Sequence, residues 1–209
     1  MPQTAVARKT RRTQAERRAS TRAQLLDATI ACLYERGYGG TTTTEIAERA
    51  GVSRGAQLHH FPTKAELVTA AVEHLFARRH AEFVRAIAAL PAGTRRAEAA
   101  IDLLWSMVSG PPFYAWLELA VASRTDPALR ADVAALSQRF METVRRTFLE
   151  LFPPPSPPNP LHEVAPMFVF ALMDGLALDK ILADDPEKVT RVLSALKNLA
   201  RLVIPAEAS

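Results

Sequence analysis

Between Thr42 and Lys64 the chain reads TTTEIAERAGVSRGAQLHHFPTK, and few backbone paths are open to such a stretch. Thr42 can cap a helix by accepting from the N–H three residues on, with Glu45 placed to reach back in a capping box. Ile46, Ala47 and Ala50 then make one apolar face, and Gly51 supplies the positive φ at which a helix stops. Ser53 is a second N-cap. Arg54 to His60 follow as a short helix seated by Val52, with Phe61 packing behind it and Pro62 ending it. Two short helices joined by a glycine turn have the build of a helix-turn-helix, whose second helix enters the DNA major groove and presents its first residues to base edges. Arg54, Ala56, Gln57 and His59 are therefore placed to reach DNA.

The run G-Y-G-G-T-T-T-T-E-I-A-E-R-A-G-V-S-R-G-A-x-x-H-H-F-P-T-K-A-E-L, from Gly37 to Leu67, resembles the N-terminal domain of the tetracycline-repressor (TetR) family. The likeness extends over roughly 21–75, because Arg22, Leu25, Leu26, Ala28, Leu33 and Gly37 fall where that family's first helix keeps its arginine, core residues and closing glycine. It implies an all-α chain: a three-helix reader followed by a helical ligand-binding and dimerisation domain. The DNA-contacting set is Thr42, Thr43, Thr44, Arg54, Gly55, Ala56, Gln57, His59, His60 and Lys64, the last meeting a phosphate at a helix start. One departure concerns Gln57-Leu58, where the family usually has Leu-Tyr. Leu58 cannot donate the tyrosine's hydrogen bond to the DNA backbone, which leaves His59 or His60 for that contact. Gln57, if it points outward, can bond an adenine edge.

The charge is concentrated where a polyanion would lie. Residues 1–64 hold 11 Lys or Arg against 5 Asp or Glu, a local excess of +6, whereas residues 65–209 carry −2. A basic end on a nearly neutral body is the electrostatic footprint of a nucleic-acid reader. The start is basic with no apolar region after it, and no later segment offers about 18 uninterrupted apolar residues, so a cytoplasmic protein without membrane contact is expected. Cys32 is the single cysteine, read as a small buried filler.

Residues 1–18 lack apolar periodicity and are expected to be a disordered basic arm, either a solubilising tail or an arm whose Arg8, Arg11, Arg12, Arg17 and Arg18 follow DNA. The reader then occupies 19–65 and the effector-binding and dimerisation domain 66–209. Lys64 opens a long helix with Leu67, Val68, Ala71, Val72, Leu75 and Phe76 at helical spacing, ending before Pro91. Thr94 starts another, closed by Gly110-Pro111-Pro112. A short apolar helix from Phe113 to about Ser123 follows. Asp126-Pro127 caps a long amphipathic helix through Leu151. Pro153 to Pro160 is a stiff spacer. Two last helices, about 161–183 and 186–203, bring the total to about nine, with no strand.

Those last helices are more apolar than one face requires, which fits both an internal core and pairing with a second copy. The family resemblance implies the pairing, a four-helix homodimer interface, and a pseudo-palindromic operator with half-sites on successive turns. In the body, Trp105, Met107, Phe113, Tyr114, Trp116, Leu117, Met141 and Phe170 are candidates to line an effector cavity, with Asp102, Glu118 and Asp174 as polar anchors. For each large apolar group taken singly, plain core is the first reading. An effector that fits better when the two readers are splayed would weaken operator binding by its differential affinity, typically about 1–3 kcal/mol, with the helix from Lys64 as transmitter.

An enzyme finds no support in the inventory, which has no H-E-x-x-H, glycine-rich phosphate loop or nucleophile elbow. His59 and His60 point about 100° apart on a helix and are poorly placed to share a metal, so no metal or other cofactor is expected. The remaining alternative is a helical ligand-binding or interaction module that does not touch DNA.

Overall fold

Local capping chemistry sets most element boundaries in the computed structural model, which describes residues 13–92 and 94–204. These residues form nine helices: α1 Gln14–Gly40, α2 Thr43–Arg49, α3 Arg54–His60, α4 Lys64–Ala88, α5 Arg96–Val108, α6 Pro111–Ser123, α7 Pro127–Leu151, α8 Pro160–Leu182 and α9 Pro186–Val203. Ser53, Thr63, Asp126, Asn159 and Asp185 each cap the following helix through a side-chain oxygen, and Pro stands in the first turn of α6 to α9, where its missing N–H costs nothing. Gly51 takes φ +64° at the end of α2.

Three expectations about boundaries need correction. The helix begins at Gln14, not after residue 18, because Thr13 and Glu16 form a reciprocal capping box. Arg17 and Arg18 thus ride on α1, while Arg8, Arg11 and Arg12 lie outside the described residues. At Thr42 only half of the expected box forms: its Oγ1 accepts from the Glu45 N–H at 3.2 Å, but the Glu45 carboxylate pairs with Arg36 at 2.6 Å instead. Thr94 caps nothing; α5 starts after Arg95, without a side-chain cap.

The core does not divide at the expected boundary between reader and body. Leu25, Leu26, Cys32, Ile46, Phe61, Leu67 and Ala71 pack together beneath the reader. Leu33 of α1 instead joins Val68, Val72 and Leu75 of α4, Ala115 and Leu119 of α6, and Leu129, Val133 and Leu136 of α7. Successive faces of α4 therefore belong to both clusters. A third cluster joins α5, α8 and α9 through Ile101, Met173, Leu176, Leu193 and Leu196.

Helix α8 is long and apolar enough, by length and composition, to cross a membrane, and only 28 % of its apolar stretch is buried. It packs on α5, α7 and α9. What it leaves outside is a band of large apolar side chains, Leu161, Val164, Met167, Phe168, Leu178, Ile181 and Leu182, continued on α9 by Leu199 and Leu202.

Candidate DNA interface and effector cavity

α3 has one buried and one open face, and its seven residues divide cleanly between them. Arg54, Gly55, Leu58 and His59 are exposed, Ala56 and His60 are half-buried, and Gln57 is fully buried. Gln57 therefore does not point outward, and its candidacy as a base reader is overturned. It fills the inward position with its Nε2 donating to the Phe61 carbonyl at 2.7 Å, while its Oε1 has no hydrogen-bond partner among the described residues. Burying an amide in a slot suited to a leucine costs stability. Gln57→Leu is accordingly expected to leave the preferred duplex sequence unchanged in selection from a random pool, and a changed preference would show that Gln57 reads bases after all.

Around the open face the polar groups are already engaged with one another. Arg54 donates from Nη1 to the Thr44 hydroxyl at 2.7 Å, tying the start of α3 to α2. Thr42 and Thr44 are exposed and Thr43 is half-buried. Arg22 of α1 stacks over the Phe61 ring at 5.4 Å. Burial pushes the His60 imidazole below its usual pKa, and the nearby charges of Arg18, His59 and Arg22 push the same way. Arg18 and Arg22 thereby join the positive surface beside α3, which the division of the sequence into arm and reader had obscured.

Lys64 is turned inward, contrary to the expectation of a phosphate contact. Its Nζ donates to the Tyr38 carbonyl at 2.6 Å and lies 4.0 Å from the Tyr38 ring centroid. Burial lowers its pKa. The α4 N-terminus is fastened in this way to the end of α1.

Between α4, α5, α6, α7, α8 and α9 lies a cavity of about 460 Å3, within the range of small-molecule sites. Met107, Phe113, Trp116, Met141, Phe170 and Asp174 line it as the sequence suggests. The other five candidates do not. Asp102 is an exposed partner of Lys197 at 2.6 Å, Trp105 packs in the α5/α8/α9 cluster, and Tyr114 stacks on Tyr34 with centroids 5.8 Å apart. Leu117 lies off the lining. The Glu118 carboxylate accepts from the Tyr38 N–H at 2.7 Å, away from the cavity. A helix face explains part of this split, since Phe113 and Trp116 are one turn apart whereas Tyr114 and Glu118 project elsewhere.

The lining also holds rings that are not among the sequence candidates, Phe76, Phe140, Phe148 and Phe152. Trp116, Phe76, Phe140 and Phe170 are in successive contact, with centroids 5.6, 4.3 and 5.5 Å apart, and Phe148 and Phe152 extend the wall. Polar groups are few: His80 bonded to the Thr147 hydroxyl at 2.7 Å, Ser137, Arg79 and Asp174. Burial raises the Asp174 carboxyl above its ordinary pKa. Among the described residues no cluster of His, Cys, Asp or Glu is arranged to hold a metal.

A helix-turn-helix joined to a helical body defines a class, the helix-turn-helix transcriptional regulators. Residues 25–71 match the bacterial regulatory proteins of the tetR family, and residues 113–205 match the C-terminal domain of BetI-type transcriptional repressors. The chain is 32 % identical over 191 residues to the HTH-type transcriptional regulator CymR of Pseudomonas putida, covering 91 % of this chain and 94 % of that one. It is 30 % identical over 191 residues to the HTH-type transcriptional regulator BetI of Paraburkholderia phymatum, covering 90 % and 95 %. In structure it is similar to a transcriptional regulator from Rhodococcus sp. Rha1, with TM-score 0.67, 24 % identity and coverage of 88 % and 99 %. The chain belongs to the TetR family of transcriptional regulators.

Proposed function

We infer that this regulator is a repressor that binds a pseudo-palindromic operator as a homodimer and is released when a small apolar or aromatic molecule enters the cavity. The carrying observation is the division of α3: Gln57 anchors it inward while Arg54, Gly55, Leu58 and His59 stand open on one side. A helix held so presents one face to a groove, with Arg54 suited to a guanine edge or a phosphate. Arg17, Arg18 and Arg22 are exposed on the neighbouring helix and add charge that acts on any sequence.

The second copy is assigned to the apolar band of α8 and α9, where Met167, Leu178, Ile181, Leu182 and Leu202 line no part of the cavity and would otherwise meet water. Two-fold pairing there would place two α3 helices against half-sites one helical turn apart, about 34–36 Å. The effector class follows from a lining made mainly of aromatic and aliphatic side chains, with His80, Thr147 and Asp174 available to orient one polar group.

The test is duplex binding at graded salt. With a duplex selected from a random pool, log K should fall with log salt at a slope of about −0.9 per phosphate contact. Arg54→Ala with His59→Ala should abolish the preference for the selected sequence and leave helix content intact. Equal affinity of that double variant for the selected duplex would instead favour a helical ligand-binding module that does not read DNA.

A further inference from the structure

Glu118 occupies a position that neither duplex binding nor the cavity explains. It sits on α6, the helix whose Phe113 and Trp116 line the cavity, but two residues beyond Trp116 its side chain leaves from nearly the opposite side of the helix. There it reaches the end of α1, where Gly37 takes φ +66° and ψ 176° and interrupts the helix. The interruption removes the Tyr38 N–H from the helical ladder, and Glu118 Oε2 accepts it at 2.7 Å. The approach is so close that a Cβ at Gly37 would stand 2.7 Å from the same oxygen. The other side of the Tyr38 residue is held as well: its carbonyl accepts from Lys64 Nζ at 2.6 Å, and Lys64 is the first residue of α4, directly after the turn that ends α3. One residue, Tyr38, thus joins the back of the cavity helix to the base of the recognition helix.

We propose that Glu118 is the positioning residue that carries cavity occupancy to α3: a ligand displacing Phe113 and Trp116 shifts α6, and the Glu118–Tyr38–Lys64 chain moves the start of α4 with it. This rests on the reading that filling the cavity weakens duplex binding. A carboxylate suits the role because its hydrogen bond to a backbone N–H is charge-assisted and roughly twice as strong as a neutral one. Leu119 and Ala115 also meet α1 and α4 in a buried apolar cluster, and whatever coupling packing carries is what remains in Glu118→Ala.

The experiment fills the cavity covalently, so that no effector need be known. Met141 lines the cavity; Met141→Cys is labelled with benzyl methanethiosulfonate, and the fully buried Cys32 is expected to stay unlabelled, as a single added mass will show. The quantity read is the ratio of duplex affinities before and after labelling. With Glu118 present the label should weaken binding by about tenfold or more, within the usual span of coupling between sites. In Glu118→Ala the ratio should fall to about twofold or less, and in Glu118→Gln, which keeps an oxygen acceptor but not the charge, it should lie between the two. A merely structural role would lower the affinity of the unlabelled protein and leave the ratio unchanged. An undiminished ratio in Glu118→Ala overturns the proposal while the release reading stands; should that variant not fold, an undiminished ratio in Glu118→Gln does the same. No weakening on labelling the protein with Glu118 in place overturns the release reading, and the proposal with it.

Discussion

Replacing Leu182 and Leu202 by glutamate together is expected to give a chain that sediments as a monomer, retains its helix content, and binds its duplex at least about a hundredfold more weakly. Leu182 is 80 % and Leu202 78 % exposed, so neither substitution disturbs the core of the single chain. On the proposed two-fold face, however, each would bury carboxylates against apolar surface, and isolated buried charge is costly. Linking two readers raises overall affinity by about 10²–10⁴ through effective concentration alone, and a monomer forfeits that factor. Sedimentation equilibrium and duplex titration read the two consequences separately. A double variant that still sediments as a dimer would remove the α8/α9 face from consideration as the interface.

The largest stability loss is expected at Leu33. It is fully buried and is the α1 residue at the centre of a cluster whose other buried members come from α4, α6 and α7, with Ile30 and Tyr38 of α1 packed against it. Leu33→Ala should cost about 2–5 kcal/mol, the transfer of the lost methyl groups plus the cavity they leave. For a chain of this size each kcal/mol lowers Tm by about 2–4 °C. Because the cluster joins reader and body, the heat-induced loss of helix should remain one transition in wild type and variant alike, followed by circular dichroism. Two separated transitions would mean that the halves unfold independently and that Leu33 is not a shared support.

The reader was legible because its signals are local. Thr42, Gly51, Ser53 and Pro62 act over at most four residues, and α2 and α3 lie where those residues put them. The same rule was available at Thr13 and Glu16, whose T-x-x-E spacing marks a capping box, but the arginines around it suggested an arm. Gln57 shows where local rules end. Its polar side chain suggested exposure, yet the packing of α3 requires something inside at that position, and Gln57 is what the chain supplies.

The cavity was legible only in part. On α6, α7 and α8 the apolar positions were plain, but an apolar face cannot announce whether it meets another face or an empty volume. Phe76 and Phe148 pack against core clusters on one edge and form cavity wall on the other. Glu118 reads from the sequence as a cavity anchor, because no spacing along the chain relates it to Tyr38, 80 residues away.

By itself, then, the order of residues determined where helices begin and stop, that α3 forms behind a glycine turn, and that charge collects at one end, since caps, glycine φ and net charge are properties of near neighbours. Which face of each helix is inward, which rings bound a cavity, and which carboxylate holds the end of α1 were decided only when distant segments packed. Close packing allows a side chain its place only relative to all the others around it.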